Sequence, residues 1–277
     1  MIKKSILNEL NKHSYNMRQN IIELGYQAGR NGSHQGPALS LVEIYNVLYN
    51  YILSDSDLNF ANFNRSRVIL SKGHGALALY TALYECGILS KSELFTYEKN
   101  GGAFPGQPSK NILKGIETST GSLGIGMPYA TGIALAYKRR NIDSKVYTIV
   151  GDGECNEGSI WEAVMFARHY KLDNLTVIVD RNNMQSDGIS KEILDVNLKN
   201  AFLGFDWNVI ESDGHSIEEL INAFSNNISG KPKVIIANTI KGCGVSFMEN
   251  SKDWHHNVIT DELFVQAKKD LEKKSGE

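Results

Sequence analysis

The chain has 277 residues, of which 42% are hydrophobic and 25 are glycine, and a formal net charge of −2. This is enough apolar material for a large core, in one big α/β domain or two smaller ones, and it excludes a disordered chain. The balanced charge lacks the basic surplus that nucleic acid or an anionic membrane demands of a main partner, so any anionic ligand has to be held by local geometry.

The N-terminal stretch 1–16 carries Lys3, Lys4, Glu9 and Lys12 among its apolar residues, so it lacks the uninterrupted hydrophobic region of a signal peptide. No apolar run approaches the roughly 20 residues of a membrane helix. Cys86, Cys155 and Cys243 are odd in number, far apart and without CxxC spacing. They point to reduced thiols in a cytoplasmic protein and argue against a disulfide framework or zinc site.

Residues 14–53 read as two helices separated by the loop GRNGSHQGPALS, with the second resuming at Leu39. A short β-like run, Arg67 to Leu70, leads into SKGHGALALYTALYECG, where Leu77, Tyr80, Leu83 and Tyr84 recur at helical spacing. Ser90 followed by Glu93 has the capping-box pattern of a helix over about 91–99. GGAFPGQP and TSTGSLGIGMPYATGIALAYKRR then form a Gly-rich loop and a helix whose Gly126, Ala130, Gly132 and Ala134 permit close packing against a ligand or a neighbouring protein chain. Beyond it the pattern predicts strand 146–150, helix 158–170, strand 175–179, an irregular stretch 181–205, strand 207–210, helix 216–226 and strand 233–238. This alternation predicts one α/β domain with a mainly parallel sheet and right-handed crossovers.

In such a sheet the ligand crevice lies beyond the carboxyl ends of the strands. Asp152, in GDGECNEG, sits at one such end, and Asn182, thirty positions later in DRNNMQSDG, sits one βαβ step away. A carboxylate, an amide oxygen and a backbone carbonyl are hard ligands for Mg²⁺ or Ca²⁺ that keeps other positions for phosphate oxygens. Gly151 and Gly153 let the backbone approach a bulky anion. The residues thus describe a metal-bridged diphosphate site; GDGE alone reads equally well as a plain turn, and the second strand end shifts the weight.

The stretch GDGECNEGSIWEAVMFARHYKLDNLTVIVDRNNMQSDG resembles the thiamine diphosphate motif of transketolases, which begins with GDG and ends in an asparagine about thirty residues on. SHQG at 33–36, LSKGHG at 70–75, TSTGSLGIG at 118–126, DGH at 213–215 and KGCGVSFMENSKDWHH at 241–256 resemble successive blocks of the transketolase N-terminal region, in order. The resemblance implies a thiamine diphosphate-binding fold, helices on both faces of the sheet, and a two-carbon ketol or acyl transferase acting on sugars. It implies that Asp152, Asn182 and the main-chain carbonyl of Met184 ligate the divalent ion and that Gly151 and Gly153 lie against the diphosphate. It also implies that Gly121 and Leu123 approach the aminopyrimidine and that Glu157 links active sites across a subunit interface.

Of the seven histidines, His13 and His169 fall in predicted helices and His215 follows a DG turn; structural roles explain them. His34, His74 and His255 lie in blocks whose matching histidines surround the reacting carbon in the family, and crowding predicts that some are neutral at pH 7. His256 carries no assignment. Lys241, before a Gly-rich turn, is expected to be solvated.

In transketolases the glutamate that activates the cofactor comes from a pyrimidine-binding domain C-terminal to this region, and no such sequence follows here. The expectation is a split enzyme: this chain as the N-terminal subunit, its partner supplying the glutamate, and an α2β2 heterotetramer with cofactors at its interfaces, the segment 121–134 among the contact surfaces. Gln107 stands where the family usually has a histidine touching the donor, and Ile125 replaces a frequent glutamine. Both admit a non-standard donor, including a 2-oxoacid such as pyruvate. The alternatives are a decarboxylating carboligase resembling deoxyxylulose-phosphate synthase, and a non-catalytic regulatory subunit keeping the fold. A nucleotide-binding protein is disfavoured, because neither GxxxxGK[ST] nor a GxGxxG after a first strand is present.

Overall fold

A computed structural model describes residues 2–275. Five strands, β1 (Arg67–Leu70), β2 (Val146–Gly151), β3 (Leu175–Arg181), β4 (Asn208–Asp213) and β5 (Lys233–Asn238), form one sheet in the order β1-β2-β3-β5-β4. Every neighbouring pair is parallel. All five carboxyl ends therefore open on the same edge.

The side-chain period of two divides the core cleanly between the two faces of the sheet. Val68, Leu70, Tyr147, Ile149, Ile178, Ile235 and Ala237 pack into one hydrophobic cluster, whereas Ile69, Val146, Val150, Val177, Val179, Val234 and Ile236 pack into another. Burial on both faces explains why β2, β3 and β5 read as continuous apolar runs rather than alternating ones. Helices Lys4–Gln27, Ala76–Glu85, Ile217–Ser225 and Asp261–Ser275 contribute to the first cluster, and Gly126–Arg139, Gly158–His169 and Leu198–Gly204 to the second. Basic residues in the last turns of Gly126–Arg139 and Gly158–His169 complement the helix dipoles. In Ile217–Ser225 the Ser216 side chain caps the Glu219 N–H.

The first helix is longer than its pattern indicates, starting at Lys4, and the predicted helix over 39–53 is broken into Gln35–Leu39, Val42–Val47 and a π-type turn, Leu48–Ile52. The capping box at Ser90 and Glu93 forms, yet the helix it starts stops at Leu94. Within the stretch expected to be irregular, Ser190–Ile193 and Leu198–Gly204 are helical, too short to show a period. Strand β4 runs on to Asp213. Gly126 meets the close-packing expectation, since a Cβ there would lie 2.5 Å from Ser71 Cα, whereas Gly132 faces open space. No described helix is long and apolar enough to cross a membrane.

Candidate active site

The carboxyl ends of β1, β2, β3 and β5 converge on one cavity lined by Lys72, Asp152, Asn182, Met184, Lys241 and His255, with Gly151, Gly153, Leu123 and His74 also on its wall. Strand register brings the metal-ligand candidates together: Gly151 pairs with Asp180, so Asp152 and Asn182 leave neighbouring strands side by side. Asn183 then takes a φ of 58°, a left-handed conformation that Asn tolerates, and turns the chain between Asn182 and Met184. Asp152 accepts hydrogen bonds from the Gly153 N–H at 2.9 Å and Ser190 Oγ at 3.3 Å; Asn182 Oδ1 accepts from the Met184 N–H at 3.0 Å.

Burial, and next the neighbouring Asp180 carboxylate, push Asp152 up to about 6 against the pull of Lys72. A carboxylate so disfavoured as an anion is one that a cation would relieve. The site fits a metal-bridged diphosphate in two further respects. Gln185 Nε2 is buried with no hydrogen-bond partner in the same cavity, a donor available to an anion. Cβ atoms at Gly151 and Gly153 would lie 3.1 Å from Lys72 Cδ and 3.0 Å from Gln185 Cγ, so side chains there would crowd the residues that line the cradle.

Several residues that hold the cavity together carry no sequence signal of their own. Asp180, fully buried, accepts from Lys72 Nζ, Thr239 Oγ1, Ser40 Oγ (2.7 Å) and Asn182 Nδ2 (3.1 Å). Burial opposes its ionisation, but the Lys72 charge and these hydrogen bonds prevail and hold it below the usual carboxylate value. Glu154, the acid of GDGE, is also buried and accepts from Ser71 Oγ, the Gly124 N–H (2.8 Å) and the Gly151 N–H (3.1 Å), tying three loops to one carboxylate. Its pKa is raised, chiefly by burial.

Contrary to the expectation of a solvated side chain, Lys241 is 1% exposed. Its Nζ lies 3.1 Å from the Gln185 carbonyl and 3.2 Å from His255 Nδ1. Burial and the nearby Lys72 charge lower it to about 8. The fold, bringing β5 beside β3, places it on the wall of the same cavity as Asp152 and Asn182.

The three singled-out histidines come together. The His34 ring stacks on His74 at 4.7 Å between centroids, and His255 meets His74 edge-on at 4.8 Å. Burial first, and neighbouring histidines and lysines next, depress His34 to about 3, His74 to about 4 and His255 to about 2, so all three are neutral at pH 7. His34 Nδ1 is buried without a partner. His256, unassigned from sequence, packs edge-on against His34 at 4.5 Å and lines an adjoining cavity with His34 and Gln107.

Gln107 itself packs against Gly121, where a Cβ would sit 1.9 Å from its Oε1. Gly121 in turn touches Gly73 backbone to backbone, and it is Leu123, not Gly121, that reaches the cavity wall. Glu157 is exposed at the start of helix Gly158–His169 and lies outside the cavity lining. His13 contacts Glu85 at 3.0 Å, His169 packs edge-on against Tyr170, and His215 forms the expected turn with Asp213.

Residues 20–275 match the family model described as transketolase, thiamine diphosphate binding domain. One of the subunits of the apulose-4-phosphate transketolase of Actinobacillus succinogenes is 40% identical over 90% of this chain and 91% of its own length. A 6-deoxy-6-sulfo-D-fructose transketolase subunit of a Clostridium species is 39% identical over 88% and 90%. The solved transketolase of Campylobacter jejuni superposes with a TM-score of 0.84 at 29% identity, over 98% of this chain; the chain spans 43% of that protein. With its parallel sheet and its match over residues 20–275, this chain belongs to the transketolase family, as the thiamine diphosphate-binding domain.

Proposed function

We propose that the chain is one subunit of a split transketolase-like transferase, a single diphosphate-binding domain that moves a two-carbon unit from a ketose donor to an aldehyde acceptor. The observation that carries this is the single cavity joining Asp152, Asn182 and Met184 to His74 and His255, with His34 stacked on His74 behind its wall. Asp152, Asn182 Oδ1 and the Met184 carbonyl would hold Mg²⁺ or Ca²⁺; Gly151, Gly153, Gln185 and Lys241 would hold the diphosphate. Leu123, on the wall, and Gly121 behind it would lie toward the aminopyrimidine. When bound, thiamine diphosphate supplies the nucleophilic carbon and the electron sink for cleaving a bond beside a carbonyl. His34, His74 and His255, uncharged, can each accept or donate a proton at a sugar hydroxyl and hydrogen-bond an oxygen that gains charge. Gln107 offers the donor a hydrogen bond without titrating.

Relatives matching this chain over nine-tenths of their own length are named as single subunits of transketolases, which supports a partner bearing the pyrimidine domain and its glutamate, in an α2β2 assembly. Exposed Glu157, with Ile125 and Tyr129 on the neighbouring helix, is the surface proposed for that contact. The relatives' names, which specify apulose-4-phosphate and 6-deoxy-6-sulfo-D-fructose, favour a sugar over a 2-oxoacid as donor. Three free cysteines fit a cytoplasmic location.

The test is calorimetric titration of thiamine diphosphate with Mg²⁺ into the chain, alone and with its partner subunit. Metal-dependent binding that strengthens with the partner and disappears in Asp152→Ala is expected. Binding that survives Asp152→Ala refutes the assigned cation site, and no binding in either mixture refutes the function.

A further inference from the structure

His215 does more than close its turn. Its Nδ1 lies 2.9 Å from Glu43 Oε2, and Arg18 grips the same carboxylate with hydrogen bonds of 2.6 and 2.9 Å. Nε2 on the other side of the ring accepts the Ile240 N–H at 2.9 Å, so Nδ1 carries the proton and donates to Glu43. Gly214 permits the close approach, since a Cβ there would lie 2.3 Å from Thr239 Cγ2. Arg18, Glu43 and His215 line a cavity between the first helix and the last, and none of them lines the cofactor cavity.

The chain that leaves β5 runs from this cluster to the cofactor cavity. The Ile240 N–H is held by His215, the Lys241 carbonyl by the Asn250 N–H at 2.9 Å, the Gly242 N–H by the Gly36 carbonyl at 3.0 Å, and the Cys243 carbonyl by Arg18 Nε at 3.1 Å. Two of these anchors are side chains of the one cluster, and they grip the backbone on either side of Lys241. The Lys241 side chain leaves toward the cofactor cavity, where its Nζ meets the Gln185 carbonyl and His255 Nδ1. A lysine side chain has many rotamers to lose, so a fixed starting point for it lowers the cost of presenting its charge in one place.

We propose that His215 is a positioning residue for the diphosphate: oriented by Glu43 and Arg18, it holds the Ile240 amide and so fixes the backbone from which Lys241 reaches the cofactor cavity. The proposal rests on the reading of Lys241 as a diphosphate contact. His215 itself touches neither cofactor nor substrate. Its two hydrogen bonds can be removed one at a time. Asn places an amide where Nδ1 is and can donate to Glu43, but it leaves the Ile240 N–H without an acceptor. Gln places an oxygen where Nε2 is and can accept from Ile240, but it leaves Glu43 without that donor.

The experiment measures the Kd of thiamine diphosphate with Mg²⁺ in the two-subunit enzyme for the wild type, His215→Asn, His215→Gln, Lys241→Met and the two double variants. Amide hydrogen exchange across residues 239–243 is followed in the same chains without cofactor. His215→Asn should raise Kd about fivefold and His215→Gln less than about twofold. In the Lys241→Met background His215→Asn should change Kd no further, because its effect passes through that lysine. The Ile240 amide should exchange about tenfold faster in His215→Asn than in His215→Gln. A purely structural role would destabilise both variants alike and add to Lys241→Met. Equal Kd in the Asn and Gln variants, or additivity with Lys241→Met, therefore overturns the proposal. An unchanged Kd in Lys241→Met alone refutes the diphosphate reading of Lys241, and the exchange contrast then decides by itself whether His215 holds the segment. In the wild type, NMR should detect a coupling across the hydrogen bond from the Ile240 amide nitrogen to His215 Nε2 at pH 7. Its absence overturns the assignment whatever the variants do.

Discussion

The histidine cluster makes the fold acid-sensitive in a calculable way. His34, His74 and His255 have folded pKa values of about 3, 4 and 2, each below the ordinary 6.5. For a base with a depressed folded value, the unfolded chain binds the proton more readily. The stability these groups contribute is therefore complete above about pH 6.5 and is lost as the pH falls toward the folded values. Between pH 7 and pH 5 each imidazole gives up about 2 kcal/mol by linkage, about 6 kcal/mol for three. All three rings are partly exposed, and solvent screening brings the sum to about 3 kcal/mol. Urea unfolding of the wild type and His74→Gln at both pH values isolates one member, because Gln does not titrate and other groups cancel in the difference. The variant should lose about 1 kcal/mol less than the wild type on acidification. An identical loss in both proteins would refute the depressed value at His74, and a wild type that gains stability from pH 7 to pH 5 would refute the neutral cluster.

Other residues give independent tests. Glu154→Ala strands the Ser71 hydroxyl and the Gly124 and Gly151 N–H groups that now share one carboxylate. A cost of about 3 kcal/mol follows, and calorimetry should show a melting temperature lower by about 5–10 °C; an unchanged melting temperature would contradict the tie. Lys241→Met keeps the length but removes the charge, so thiamine diphosphate should bind about tenfold more weakly in the two-subunit enzyme, and an unaltered Kd would take Lys241 out of the diphosphate site. Gly121→Ala puts a methyl where Gln107 Oε1 now lies and should displace that amide. Donor KM should rise by more than cofactor Kd, and an unchanged donor KM would take Gln107 out of donor contact.

Much of the scaffold can be read from the chain because it is written in local patterns. Strands β2, β3 and β5 appear as apolar runs ending in Gly or polar residues, and the parallel alternation follows from helices between them. Asp152 and Asn182 are legible for the same reason: each immediately follows or ends a recognisable strand. The short helices Ser190–Ile193 and Leu198–Gly204 are not, since four and seven residues cannot establish a helical period.

The sequence by itself determined the layered α/β core, the GDG turn and the histidine-bearing loops, because burial and turn chemistry act between near neighbours in the chain. Only the tertiary structure decided that Lys72 neutralises Asp180 across 108 positions, that Glu154 gathers three loops, that Lys241 is buried beside His255, and that His215 reaches Glu43. A lone Lys or Glu in sequence reads as solvated, since leaving a charge in water is the default. These charges are buried because strand order brings their partners within hydrogen-bonding distance, and strand order is a property of the whole sheet.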